Sequence, residues 1–122
     1  MSEQQSPNYE DLFYQSEDGL TLYARDYPAP SPDAQCVLLM HGLSRNSRDF
    51  EVLADHLSTR YRVLVAEQRG RGRSEWDTNP TRYAIPHYVR DMFALLQAAN
   101  VSRVATVGTS MGGLIALSLI HI

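Results

Sequence analysis

Hydrophobic positions in the 122-residue chain follow two patterns, and the change between them divides the sequence. From 12 to 27, apolar and polar residues partly alternate around Glu17-Asp18-Gly19. Asp-Gly is a strong tight-turn signal, so 12–16 and 20–26 are predicted to pair as a β-hairpin. Residues 1–11 are polar and are expected to be a flexible N-terminus ahead of one domain covering 12–122. Pro28-Ala29-Pro30-Ser31-Pro32 is a stiff connector, because proline fixes φ and has no N–H for a ladder or a helix. Beyond it, alternation gives way to continuous apolar runs: Cys36-Val37-Leu38-Leu39-Met40, Val63-Leu64-Val65-Ala66 and Val104-Ala105-Thr106-Val107. Such runs mark strands covered on both faces, as in a parallel sheet.

Helical spacing fills the intervals. Phe50, Leu53, Ala54 and Leu57 fall on one stripe, and Val89, Met92, Phe93 and Leu96 form another that Asn100 closes. A third helix is predicted to begin near Ser110. Strands alternating with helices specify an α/β fold: an N-terminal hairpin, then a mostly parallel sheet with flanking helices and right-handed crossovers.

Composition narrows the chemistry. With 43% hydrophobic and 20% charged residues, the chain is not a disordered type. All 11 basic residues are Arg, so no lysine is present for a Schiff base, pyridoxal phosphate or a Walker-type phosphate loop. The single cysteine, Cys36, begins a buried-type strand and reads as an inert thiol. His41, His56, His87 and His121 show no metal-binding spacing, so neither metal nor cofactor is expected. A net charge of -3 argues against nucleic acid as a partner. The N-terminus lacks a secretory signal, and no run approaches the roughly 18 apolar residues of a membrane span. The sequence thus predicts a soluble cytoplasmic protein with a small-molecule substrate, and leaves its oligomeric state open.

Gly108-Thr109-Ser110-Met111-Gly112 matches G-x-S-x-G where the motif has mechanical meaning, between a buried-type strand and an apolar helix. A serine on so tight a turn projects its hydroxyl above the sheet. Gly108 and Gly112 let strand and helix approach, and Gly113 adds clearance. The Met111 amide falls in the helix's first turn, where N–H groups lack intrahelical partners, and can therefore bind an oxyanion. The second donor is expected from the loop after an earlier strand. His41-Gly42-Leu43 ends the first buried run, which makes the Leu43 amide the candidate.

Four features together resemble the α/β-hydrolase fold family: His41-Gly42, the loop Glu67-Gln68-Arg69-Gly70-Arg71-Gly72-Arg73-Ser74, the elbow Gly108–Gly113, and their order on successive strands. The likeness covers about residues 12–117. It implies Ser110 as nucleophile of a serine hydrolase acting on an ester-like bond, with Met111 and Leu43 as the oxyanion hole. Serine at the nucleophile counts against haloalkane dehalogenases and epoxide hydrolases, which resemble this pattern but carry Asp there. Glu67 stands where the related loop often has Asp, and is given no functional reading. A non-catalytic ligand-binding protein on the same scaffold is the alternative.

In this family the triad acid and then the histidine follow the serine. The 12 residues after Ser110 contain no acid and one histidine, His121. On a continuous helix His121 would lie about 16 Å along the axis, whereas a base must come within about 3 Å. The chain is therefore expected to be the N-terminal portion of such a domain, without its C-terminal strands and any cap. The last residues, 117–122, are suspected to be non-native. On this expectation the chain is poorly soluble and hydrolytically almost silent. Elsewhere, His41 is expected to be architectural, His56 and His87 solvated, and Asp91 a surface or supporting acid. Arg69, Arg71 and Arg73 are expected to belong to a structural loop, and Trp76 and Tyr83 either to line a pocket or to pack beneath that loop.

Overall fold

A computed structural model of the chain describes residues 8–42, 50–109 and 111–120. The hairpin is formed by β1 (Glu10–Gln15) and β2 (Thr21–Tyr27), antiparallel with Phe13 opposite Tyr23. Its turn is closed by Ser16, whose N–H donates to Leu20 O at 2.9 Å and whose Oγ accepts from Leu20 N at 2.8 Å. β1 begins at Glu10, so the last two residues of the segment expected to be flexible belong to the sheet. Asp11 is anchored there by the Tyr23 hydroxyl, which donates to it at 2.6 Å.

Among the described residues the further elements are β3 (Cys36–Met40), α1 (Glu51–Leu57), β4 (Arg62–Glu67), a 3-10 turn (Pro80–Arg82), α2 (Ile85–Ala98), β5 (Val104–Gly108) and α3 (Met111–Ile120). The sheet order is β1-β2-β4-β3-β5. β2 runs antiparallel to β4, while β3 is parallel to both β4 and β5. The parallel part is thus the part built from continuous apolar runs. Among the described residues the sheet divides evenly between antiparallel and parallel pairings.

The chain moves from β3 to β4 in one direction, then returns past β3 to β5. With one crossover hand, opposite directions of travel require helices on opposite faces. Phe50 and Ala54, at the start of α1, pack on Val37, Leu39, Val63 and Val65. Tyr88, Val89, Met92 and Leu95 of α2, with Ile115 of α3, cover Leu38, Met40, Leu64 and Ala66 on the other face. The inner stripe of α2 is turned slightly from the predicted one: Phe93 is 42% exposed and Leu95 is buried. On α1, likewise, Leu53 faces solvent and only Ala54 is fully buried.

β3 is buried at every position, and β4 at all but its first. β5 departs from the expectation. Among the described elements it pairs only with β3, and its Ala105 and Val107 are exposed because no described helix covers them. Among the described residues, no helix is long and apolar enough to cross a membrane.

Candidate active site

Connections from β3 and β5 diverge to opposite faces of the sheet, one toward α1 and the other into α3. Ligands in open α/β sheets bind in the crevice that such a switch opens at the carboxyl ends of the strands. Two of the sequence motifs lie at that crevice: His41-Gly42 directly follows β3, and the G-x-S-x-G turn directly follows β5.

The turn is as short as the motif requires. β5 ends at Gly108 and α3 begins at Met111, and Gly112 N donates to Thr109 O at 2.9 Å across the bend. Thr109 N donates to Met40 O at 3.2 Å, which ties the bend to the end of β3. A Cβ on Gly108 would overlap the Gly112 carbonyl and lie 2.6 Å from Gly113 N. One on Gly112 would overlap Met40 O and sit 3.0 Å from His41 O. A Cβ on Gly113 would meet Gly108 O at 3.5 Å, an ordinary contact, so the third glycine is not required by packing. Ser110 and Leu43, the expected nucleophile and second oxyanion donor, lie outside the described residues, as does His121. Met111 is placed at the first position of α3, where helix N–H groups have no intrahelical acceptor.

His41 is fully buried. Its Nε2 lies 3.0 Å from Gln68 N, and its Nδ1 lies 2.6 Å from Gly42 O. A main-chain N–H can only donate, so Nε2 is the acceptor and Nδ1 carries the hydrogen.

The loop after β4 is folded against the hairpin, on the side of the sheet away from β5. Ser74 Oγ donates to Glu67 O at 2.5 Å and accepts from Tyr23 N at 2.9 Å. Glu67 Oε1 accepts from Arg73 N at 2.8 Å, so this buried carboxylate holds the turn. Glu75 N donates to Thr21 O at 2.9 Å. Trp76 is 72% exposed beside this hairpin contact. The Tyr83 hydroxyl accepts from Asp77 N and donates to Asp77 O, at 2.7 and 2.9 Å. Packing beneath the loop, rather than lining the crevice, accounts for Tyr83.

Arg69 belongs to a structural loop as expected, and of the two readings of Asp91 the structure favours the supporting acid. Asp91 is not a surface acid: its side chain is 1% exposed and takes the Arg69 fork at 2.7 and 2.6 Å. Asp18 from the hairpin turn and Asp77 from the loop accept from the same guanidinium at 3.0 Å. Arg69 therefore joins the hairpin, the loop and α2. Its hydrogen bonds hold the Asp18 carboxyl well below the usual carboxylate range. Burial wins at Asp91, whose carboxyl is raised despite the pairing with Arg69. A signal for this was present in the sequence, since Asp91 shares the inner face of α2 with Tyr88, Met92 and Leu95, and a charge at such a position needs a partner. His87 is half-buried rather than solvated, and its buried Nδ1 has no hydrogen-bond partner among the described residues. His56 is exposed on α1. A cavity of about 330 Å³ bordered by Cys36 and Val104 lies at the opposite end of the sheet, behind the strand starts. Among the described residues no group of three or more His, Cys, Asp or Glu side chains could hold a metal ion.

Comparison with known proteins agrees with this fold. Residues 35–121 match the family model described as alpha/beta hydrolase fold. A 79-residue stretch is 48% identical to the 3-hydroxybutyrate-oligomer hydrolase of Cupriavidus necator, covering 65% of this chain and 27% of that protein. The magnesium-chelatase 30 kDa subunit of Rhodobacter capsulatus is 38% identical over 87 residues, 71% of this chain and 30% of the subunit. Among solved structures, an alpha/beta hydrolase from Novosphingobium aromaticivorans superposes with a TM-score of 0.90 at 40% identity, covering 96% of this chain and 41% of that one. The chain thus spans less than half the length of each of these relatives.

Proposed function

The chain belongs to the alpha/beta hydrolase fold family, and on that premise we propose that it carries the nucleophile and oxyanion-binding part of a serine hydrolase. Ser110 is the nucleophile. It attacks an ester-like carbonyl of a small molecule, and the Met111 and Leu43 amides receive the developing oxyanion. A histidine oriented by an acid takes the serine proton and returns it to the leaving group, after which water releases the acyl group. The 12 residues that follow Ser110 contain no acid, and each relative described above is more than twice the length of this chain.

One observation carries this reading. The bend between β5 and α3 is anchored on Met40, one residue before His41-Gly42, so the G-x-S-x-G turn and the His41-Gly42 motif border the same crevice. The Cupriavidus relative is named for hydrolysis of hydroxy-acid oligomers, in keeping with an ester-type bond. Hydrolysis of a p-nitrophenyl ester by the full-length protein, lost in Ser110→Ala with the fold retained, tests the proposal. Equal turnover by wild type and Ser110→Ala would refute it.

Binding without turnover on the same scaffold is the second reading. It is favoured by the 38% identity to a protein named as a chelatase subunit rather than a hydrolase. A full-length protein that binds a ligand in this crevice and leaves every ester intact would establish it.

A further inference from the structure

We propose that Asn8 and Tyr9 form a strap, poised between a closed and an open position, that clamps α1 to the hairpin. The inference is independent of the serine-hydrolase reading. It begins with a stack on the α1 face of the sheet. The Tyr9 ring lies 5.3 Å from that of Tyr27, tilted by 48°, and the Arg25 guanidinium sits 4.4 Å from the Tyr9 centroid. Arg25 Nη1 in turn donates to Glu51 Oε1 at 3.3 Å, at the first position of α1. Asn8 Nδ2 donates to Asp55 Oδ1 at 3.2 Å, one turn further along the same helix. Two residues ahead of β1 therefore bridge β2 to α1. The helix needs such a bridge, because Ala54 is the one residue along its seven that is fully buried.

The contacts that close the strap are modest. Asn8 is exposed and Tyr9 half-buried, where a ring stack and a cation–π contact each contribute little. Two polar atoms oppose them. Tyr27 is fully buried, and its hydroxyl has no hydrogen-bond partner among the described residues. Arg25 Nε has none either. Both atoms belong to the side chains that Tyr9 lies against. A buried donor without an acceptor disfavours the state that buries it, since water satisfies it once exposed. Release of the strap hydrates these groups, and closure exchanges that hydration for the stack. The two positions are thereby brought close in free energy. The hairpin need not open with the strap, because β1 from Glu10 onward is held by its own ladder to β2.

Chymotrypsin digestion of the full-length protein reads the open position, since a cut after Tyr9 requires the strap to leave the sheet and tracks the open population. A product beginning at Glu10 should appear before any cut after Tyr23 or Tyr27 of β2. Its appearance only together with those cuts would overturn the proposal, whether or not any variant folds. Tyr27→Phe removes one unpaired group and keeps the ring against Tyr9, so it should slow the cut after Tyr9 by about tenfold. An unchanged or faster cut would overturn the proposal. Hydrogen exchange reads the clamp. Tyr9→Ala should speed amide exchange in α1 several-fold and leave β4 unchanged, while Tyr9→Phe keeps the stack and should exchange as the wild type does. An α1 that ignores Tyr9→Ala, or exchange that quickens equally in α1 and β4, would show that Tyr9 is no clamp.

Discussion

Gly112 lies directly against the main-chain carbonyl of Met40: a Cβ at 112 would overlap that oxygen and come within 2.8 Å of its carbon. The obstacle is backbone at the end of the buried strand β3, so it cannot yield as a side chain would. Gly112→Ala and Gly108→Ala should each lose about 1–3 kcal/mol or more, the range of overpacking. Gly113→Ala meets only a 3.5 Å contact and should be neutral, or stabilising by up to about 1 kcal/mol from helix propensity. Urea midpoints of the three variants check this order, and equal losses in all three would contradict it.

Arg69 is shared by three carboxylates. Removing it leaves Asp18, Asp77 and Asp91 facing one another, so Arg69→Met should destabilise by roughly 3–5 kcal/mol. Arg69→Lys should restore little, because a single ammonium cannot make the fork to Asp91 and also reach Asp18 and Asp77. Thermal denaturation of the pair gives the comparison.

Acid titration separates two of those carboxylates. The Asp18 value is depressed by Arg69, so its stabilisation is present above the unfolded value of about 3.9 and is lost as pH falls through the lower folded value. Asp91 is raised by burial and acts in the opposite sense, its contribution being lost as pH rises through the folded value. Asp18→Asn should therefore cost most stability near neutral pH and progressively less below about pH 4. Unfolding free energies measured from pH 3 to 7 test the trend, and a deficit that grew on acidification would contradict it.

Burial pushes the Cys36 thiol up to about 11, which leaves very little thiolate at pH 8. Alkylation by iodoacetamide should be slow in the folded protein and become fast in denaturant. Rapid modification under native conditions would show that the start of β3 opens.

The elements were largely legible because their signals are local. Unbroken apolar runs marked β3, β4 and β5, and Asp18-Gly19 marked the hairpin turn. Strand order, by contrast, depends on contacts between distant segments. Nothing local tells β5 to cross beyond β3 or leaves Val107 exposed. At the site, Gly108 and Gly112 were readable since their role is steric and the motif states it. The Arg69 cluster was not, because it unites positions 18, 69, 77 and 91, which no spacing rule relates. The role of His41 was half visible: the sequence placed it at a strand end as an architectural residue, but its tautomer depends on the N–H of Gln68 across the sheet.

The most direct test of the central claim is treatment of the full-length protein with a fluorophosphonate, followed by peptide mapping. The account predicts one adduct, on Ser110, that is absent from a folded Ser110→Ala variant. A folded wild-type protein that takes up no label, or a label that persists in Ser110→Ala, would contradict it.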